Sequence, residues 1–387
     1  MKNSRYLLPL FLAVMASCSS KENSENPASK SVEISYELDT VMIDAGEEFI
    51  HVNWQMMSSD LSKDGKYLYN FKTGAEKPGV EIINLEELKL KQVIPMSLDG
   101  PNNIRHPYIS SVDVLDDDTF YLSDSYFLYR FDQEGTKLST LNLADHNFEG
   151  EKLPDDLRID LNQTLSEDGN SLITFYADKF LEKAPMGIAV FDFQKESFYY
   201  KPVDVLKSLE KYRVNFYFND NPAGAMFSSF YLLSKNDTLI FSNGGVNQLY
   251  FYNLKTDSIS HKTYSSEFTS YEITSSYPSR MDDEVAYREL TKETQKEVNY
   301  GRLYYDKVHQ VYWRFTKEFN KMKGETPLFK TVLTVFDPQF DQLGEILLQE
   351  DFVLPYKVFV KNGAIWTFLN IEDEVAFVRL KPTINYE

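Results

Sequence analysis

The sequence predicts an all-β protein built from repeated four-stranded antiparallel meanders, in the order of a six-bladed β-propeller. Three observations carry this. A short phrase recurs six times: an apolar run closes on a bulky residue and then, in five copies, on Asp or Asn. The copies are Val80–Leu85, Leu128–Asp132, Ala189–Asp192, Tyr250–Asn253, Thr334–Asp337 and Ala376–Arg379, the last ending on Arg. Around each copy, runs rich in β-branched and aromatic residues are punctuated by turn signals, with no long helical period competing. Finally, the last unit has room for only three strands before the chain ends. An early segment, Val32–Leu38 or Val41-Met42-Ile43, is placed to supply the fourth strand and cover an open edge.

The first unit shows the grammar in full. Ser62-Lys63-Asp64-Gly65-Lys66 is an Asp-Gly hairpin turn, where Gly accepts the positive φ of a primed turn. Tyr67–Phe71, Val80–Leu85 and Lys89–Met96 follow as strands. Later units repeat the order around Phe120–Ser123, Ser171–Tyr176, Leu239–Ser242, Gln310–Phe315 and Ala364–Leu369. The recurrent Asp or Asn suits a side chain that closes an Asx-turn on the backbone beyond it. Consecutive copies lie between 42 residues (Asp337 to Arg379) and 84 residues (Asn253 to Asp337) apart. Sheets vary little in length, so the surplus belongs to connecting loops. The longest insertion is Ser265–Tyr300. Within it Ser279-Arg280-Met281-Asp282 reads as a helix N-cap with an acid three residues on. Asp283–Val298 then reads as a solvated helix across one face, since Val285, Leu290 and Val298 make only a thin apolar stripe. Val203–Tyr212, after Pro202, is a second short helix.

The N-terminus predicts export. Met1–Arg5 carries two cations and no acid, and an apolar run from Tyr6 to Ala16 is too short to span a bilayer. Cys18, the only cysteine, stands at the cut site, as in a bacterial lipobox, where the thiol is diacylated and the residue becomes the new N-terminus. Residues 1–17 are therefore expected to be a lipoprotein signal peptide. Residues 18–30 are a polar tether unable to bury enough surface to order itself, and 31–387 form the propeller. Ser19 in place of Asp, by resemblance to lipoprotein sorting signals, points to the outer membrane of a Gram-negative bacterium.

The segment Asn53-Trp54 and Ser59–Phe71, with Leu115-Asp116-Asp117-Asp118, resembles the opening blades of a Bacteroidetes lipoprotein family, a domain of unknown function with a TolB-like six-bladed propeller. The resemblance spans the mature chain and implies fold and address, with no activity to carry over. The formal charge is −19, and −21 once Lys2 and Arg5 leave with the leader. Such a chain repels nucleic acid and anionic lipid at long range, so its membrane partner is expected through the anchor alone.

Loops leading into each inner strand are where a propeller gathers ligands. Here they carry Trp54, Arg105, His106, Tyr108, Arg158, Arg213, Arg280 and Lys357. One expectation is a shared anion pocket for a glycan, a peptide or another envelope protein, because Arg forks suit carboxylate, sulfate or phosphate. The competing expectation is that Asp99, Asp113, Asp155, Asp160, Asp220, Asp282 and Asp283 pair with these cations and stitch loops to blades. Trp54 is likewise either a ligand platform or a core aromatic. An enzyme acting on polysaccharide, a lyase or hydrolase with Arg105, His106 and Tyr108 at the channel face, is the alternative to a binding or scaffolding module. No catalytic set, cofactor or metal site is expected: His51, His106, His146, His261 and His309 are scattered, without an HxH or HExxH, and Gly244-Gly245 lacks the rest of a phosphate loop. Substituting Cys18→Ala should abolish incorporation of radiolabelled fatty acid and release the protein from membranes. Labelling that persists would remove the anchor.

Overall fold

The computed structural model describes residues 32–180, 182–350 and 352–386. The expected signal peptide, lipidation site Cys18 and tether lie outside them. The chain is all-β, and six of its sheets share one plan: consecutive antiparallel strands lying side by side in chain order. Sheet 1 comprises Ser59–Leu61, Tyr67–Phe71, Gly79–Asn84 and Lys89–Pro95. Sheets 2 to 5 begin at Ser111–Val114, Leu157–Leu165, Phe230–Lys235 and Asn299–Asp306. Sheet 3 gains a fifth strand, Glu149–Gly150, parallel to its outer edge. Sheet 6 has Val358–Lys361, Ala364–Ile371 and Glu374–Tyr386, and its outermost strand is the N-terminal segment Val32–Met42. That pairing runs unbroken from Val32 opposite Tyr386 to Met42 opposite Ala376.

The recurring phrase forms the third strand of each sheet, with a neighbour on either side. Its closing residue makes the expected turn in all five acidic or amide copies. The side chain of Asn84 accepts from the N–H groups of Glu86 and Glu87, Asp132 from Glu134 and Thr136, and Asp192 from Gln194 and Lys195. Asn253 and Asp337 do the same. The sixth copy departs for a reason the pairing supplies. Arg379 lies opposite Asp39 of the N-terminal strand and grips both carboxylate oxygens, Nε at 2.7 Å and Nη2 at 2.6 Å, while Lys381 Nζ adds a contact at 2.7 Å.

The phrase departs from simple alternation in burial: every residue of Gly79–Asn84 is buried. Each sheet packs on both faces. Val80 and Ile82 meet Phe120 and Leu122 of sheet 2, while Leu68 and Ile83 meet Trp366 and Phe377 of sheet 6. Equivalent clusters join sheets 2 and 3 (Leu128 with Phe191), 3 and 4 (Phe175 with Phe241), 4 and 5 (Ile240 with Phe336), and 5 and 6 (Trp313 with Ile365). Tyr and Phe dominate these seams because large flat rings fill wedge-shaped gaps between twisted sheets.

A seventh, three-stranded sheet stands apart. The hairpin Arg213–Phe218 and Asn221–Phe227 turns at Asn219-Asp220, both at positive φ, and pairs in parallel with Arg280–Met281. The helix α1 (Glu284–Thr294) stacks Tyr287 on Phe216 of the hairpin, ring centroids 4.7 Å apart. Two insertions thus fold into one lobe. The helix cap is a correction: Asp283, not Ser279, accepts from the N–H groups of Val285 and Ala286. The chain cannot turn earlier, since Ser279 O accepts from Asn215 N and Asp282 is held by Arg280. No residue of α1 is fully buried, and its partly covered face is the one that carries Tyr287, Leu290 and Thr291, while Asp204–Tyr212 is a 3-10 helix.

The Arg379 contact holds the Asp39 carboxyl down at about 2, first through its hydrogen bonds and then through those of Lys381. With the folded value below the ordinary 3.8, this stabilisation is present above pH 3.8 and is lost as pH falls through about 2. Asp39→Asn should cost about 1 kcal/mol at pH 7, solvent screening keeping it modest. Thermal melts of variant and wild type should converge toward pH 2, and a gap that persists there would refute the ion pair as the cause.

Candidate functional site

The inner strands of all six repeating sheets line one central cavity of about 1220 Å³. Three charged side chains stand out in it. Asp60 on the first strand of sheet 1 accepts from Val114 N–H at 3.0 Å, joining sheets 1 and 2. Asp113 on the first strand of sheet 2 accepts from Ser111 Oγ at 3.1 Å. Lys357, just before the first strand of sheet 6, donates to Ser59 O at 2.5 Å, tying sheet 6 to sheet 1. Both carboxyls lie deep in the protein yet keep a face open to the cavity. Burial raises the Asp60 carboxyl, and burial with the Asp60 charge nearby lifts Asp113 to about 6. Burial lowers the Lys357 ammonium to about 8, opposed by the Asp60 charge.

Beside this cavity three exposed aromatics stand on segments that touch one another. Asn53 through Met56 form a 3-10 turn in which Trp54, Gln55 and Met56 are all left-handed, with φ of 50°, 52° and 59°. Each such residue costs about 1–2 kcal/mol. The turn is held by its surroundings. Met56 is buried, its carbonyl accepts from Ser59 Oγ, and the Asn53 amide donates to Thr73 O at 3.1 Å. Trp54 is left 47% exposed. Tyr108, 57% exposed, packs its ring over Gly74 next to Asn53, and Tyr356, 73% exposed, donates its N–H to Gln55 Oε1 at 2.9 Å. Gln55, Met57 and Tyr356 line the cavity itself. Trp54 is therefore no core aromatic.

The other sequence candidates are dispersed. Arg105 lies exposed with its guanidinium 3.9 Å from the Phe127 ring. His106 has both ring nitrogens engaged: Nδ1 accepts from Tyr108 N–H at 3.2 Å, and Nε2 faces the buried Asp124 carboxylate at 3.4 Å. Arg280 is clamped by Asp282 and Asp220 and stacks 4.0 Å over Tyr217. Arg158 reaches its neighbour's carbonyl, Ile159 O, at 3.4 Å. Lys357 lines the central cavity, whereas Arg213 lines a separate one of about 280 Å³ beneath the lobe. The structure thus does not gather the five cations in one pocket. Only Arg280 has the aspartate partners foreseen for it.

Asp60, Arg302, Glu182, Tyr217 and Phe227 line these two cavities without having been singled out in the sequence. The hairpin bearing the last two was legible in principle, from the alternation of Val214, Phe216 and Phe218 before Asn219-Asp220. Among the described residues no three His, Cys, Asp or Glu side chains cluster as a metal site would need.

The comparisons agree with this architecture. A family model described as "Domain of unknown function (DUF4221)" matches residues 31–347. The chain belongs to the DUF4221 family. A crystal structure of a DUF4221 member from Bacteroides vulgatus aligns over 93% of this chain and 100% of that one, at 15% identity and a TM-score of 0.67. Remoter likenesses include a luciferin-regenerating enzyme (9% identity, 91% of this chain and 98% of that one, TM-score 0.42). The WD40 domain of Neurospora crassa Pan2 is similar at 10% identity over 90% and 97%, with a TM-score of 0.41. These two bear on nothing beyond a broad likeness of shape. No curated protein matches the chain. What distinguishes this DUF4221 chain is left to its own side chains.

The Asp113 carboxyl provides a check on the cavity. Its folded value exceeds the ordinary 3.8, so its contribution to stability is complete below pH 3.8 and is lost as pH rises through about 6. Asp113→Asn should therefore melt higher than wild type at pH 7 by about 2–4 °C, with no difference at pH 4. Equal melting temperatures at both pH values would show that the carboxyl is not strained by burial.

Proposed function

We propose that the six meanders close as a six-bladed propeller, anchored by lipid on Cys18 at the outer membrane, which serves as a binding module for envelope glycans. Six apolar seams support the closed ring, the last of them joining sheet 6 to sheet 1. The lipobox and tether support the address. The observation that carries the ligand class is the exposed trio Trp54, Tyr108 and Tyr356, of which Trp54 stands on a turn whose backbone is strained. Strain at such a position is retained where surrounding structure fixes a side chain for a purpose other than folding. Flat aromatic faces suit the C–H faces of sugar rings, and the exposed Arg105, in the same loop as Tyr108, suits a uronate or sulfate. A peptide or another envelope protein would be a second occupant of the same face.

Chemistry in the ring is the alternative, and it moves away from His106, whose nitrogens are already occupied. Asp60, Asp113 and Lys357 face one cavity with proton affinities displaced toward neutrality, the arrangement that acid–base work on a polysaccharide requires.

Trp54→Ala and Tyr356→Ala should each weaken retention on a panel of acidic and neutral polysaccharides by about tenfold or more, at an unchanged melting temperature. Retention unaffected by both substitutions would end the glycan reading. Cleavage products from the same panel that vanish in Asp113→Asn would favour the enzyme.

A further inference from the structure

The second cavity carries an assignment of its own. It lies between sheet 3 and the lobe, about 280 Å³, at the lower end of small-ligand pockets. Its floor is apolar, with Leu209, Tyr212 and Phe230 buried, and its rim is open, with Phe180 and Phe227 exposed. Arg213, only 9% exposed, points its guanidinium into this space over the Phe227 ring. Its Nε donates to Asn215 Oδ1 at 2.8 Å, and among the described residues neither terminal nitrogen has a protein acceptor or an ion pair. Burial disfavours the charged guanidinium, and the charges of Asp178, Asp160 and Glu210 oppose this from a distance without pairing with it.

The acids that surround it are committed elsewhere. Asp178 accepts from the N–H groups of Phe180, Glu182 and Lys183, which fixes the loop below the rim. Asp160 uses Oδ1 for the N–H and amide of Asn162, and Glu182 uses Oε1 for the Tyr217 hydroxyl. Both Asp160 and Glu182 line the cavity, and their second oxygens receive no hydrogen bond among the described residues. The remaining charge at the wall is Lys183, which is exposed at the outside. One buried cation with free donors and two acids with free acceptors thus share a small apolar chamber without pairing to each other.

We propose that this cavity is a receptor for a small zwitterion with an apolar body, of the class of the free apolar amino acids. The carboxylate pairs with Arg213, the ammonium lies toward Asp160 and Glu182, and the side chain rests on Leu209, Phe230 and Phe227. The site is independent of the aromatic face at the central cavity. An anion alone would leave the two acids facing it, and a cation alone would meet Arg213.

The test is calorimetric titration of the full chain with L-phenylalanine and L-leucine, beside 3-phenylpropanoate and 2-phenylethylamine. The amino acids should bind, and each truncated analogue should bind at least about tenfold more weakly, the loss expected for one charge-assisted contact. Arg213→Met should weaken L-phenylalanine by a similar factor. Glu182→Gln, which keeps an acceptor for Tyr217, covers the case in which Arg213→Met fails to fold. It should weaken L-phenylalanine while leaving 3-phenylpropanoate no worse. No binding of either amino acid overturns the proposal. So does 3-phenylpropanoate binding as tightly as L-phenylalanine, or an affinity for L-phenylalanine unchanged by Glu182→Gln.

Discussion

Each meander in this protein has two apolar faces and no helix to cover either, and most of the structure follows from that constraint. A sheet buried on both sides needs a neighbour on both sides, so six sheets must stack in sequence. The last must find the first, or two large apolar faces would meet water. Sheet 1 shows the arithmetic of side chains: Val80 and Ile82 serve one seam, Leu68 and Ile83 the other. At about 25 cal/mol per Å² of apolar surface, an uncovered face of aromatic and branched residues would outweigh any single polar contact described above. The polar contacts have a different task, which is to fix register. Arg379 on Asp39 and Lys357 on Ser59 O select where the ends of the chain dock.

Much of the scaffold was legible because its rules are local. An apolar run closing on Asp or Asn declares both a strand and the turn beyond it, and five Asx-turns formed where the sequence placed them. Even the odd copy was informative, since Arg379 marked the strand that Val32–Met42 would join. The lobe was not legible as a unit. Its hairpin comes from one insertion and its third strand and helix from another, and nothing local in Arg213–Phe227 says that it will pair with Arg280–Met281. Ser279 has the chemistry of a helix cap, yet that pairing keeps the chain extended until Asp283.

The side chains of the loops were harder still, because chemistry there depends on distance rather than on type. Arg280 and Arg213 read alike in the sequence. One lies between Asp220 and Asp282 in solvent, and the other is buried over Phe227, where Asp160 and Glu182 share its cavity without pairing with it. Asp60 and Asp113 belong to ordinary-looking strand ends, and only the convergence of inner strands makes them neighbours whose protons are held more tightly. Trp54 is the sharpest case. Its identity suggested a core residue more readily than a platform, and its exposure rules out the core.

Joining the first strand of the chain to the last also orders events in time. Val32 and Tyr386 are partners, so the final seam cannot be made until the C-terminal strand has left the ribosome. Until then sheet 6 lacks its outer strand and sheet 1 lacks a neighbour. Contacts of such long sequence separation come late and make folding slow.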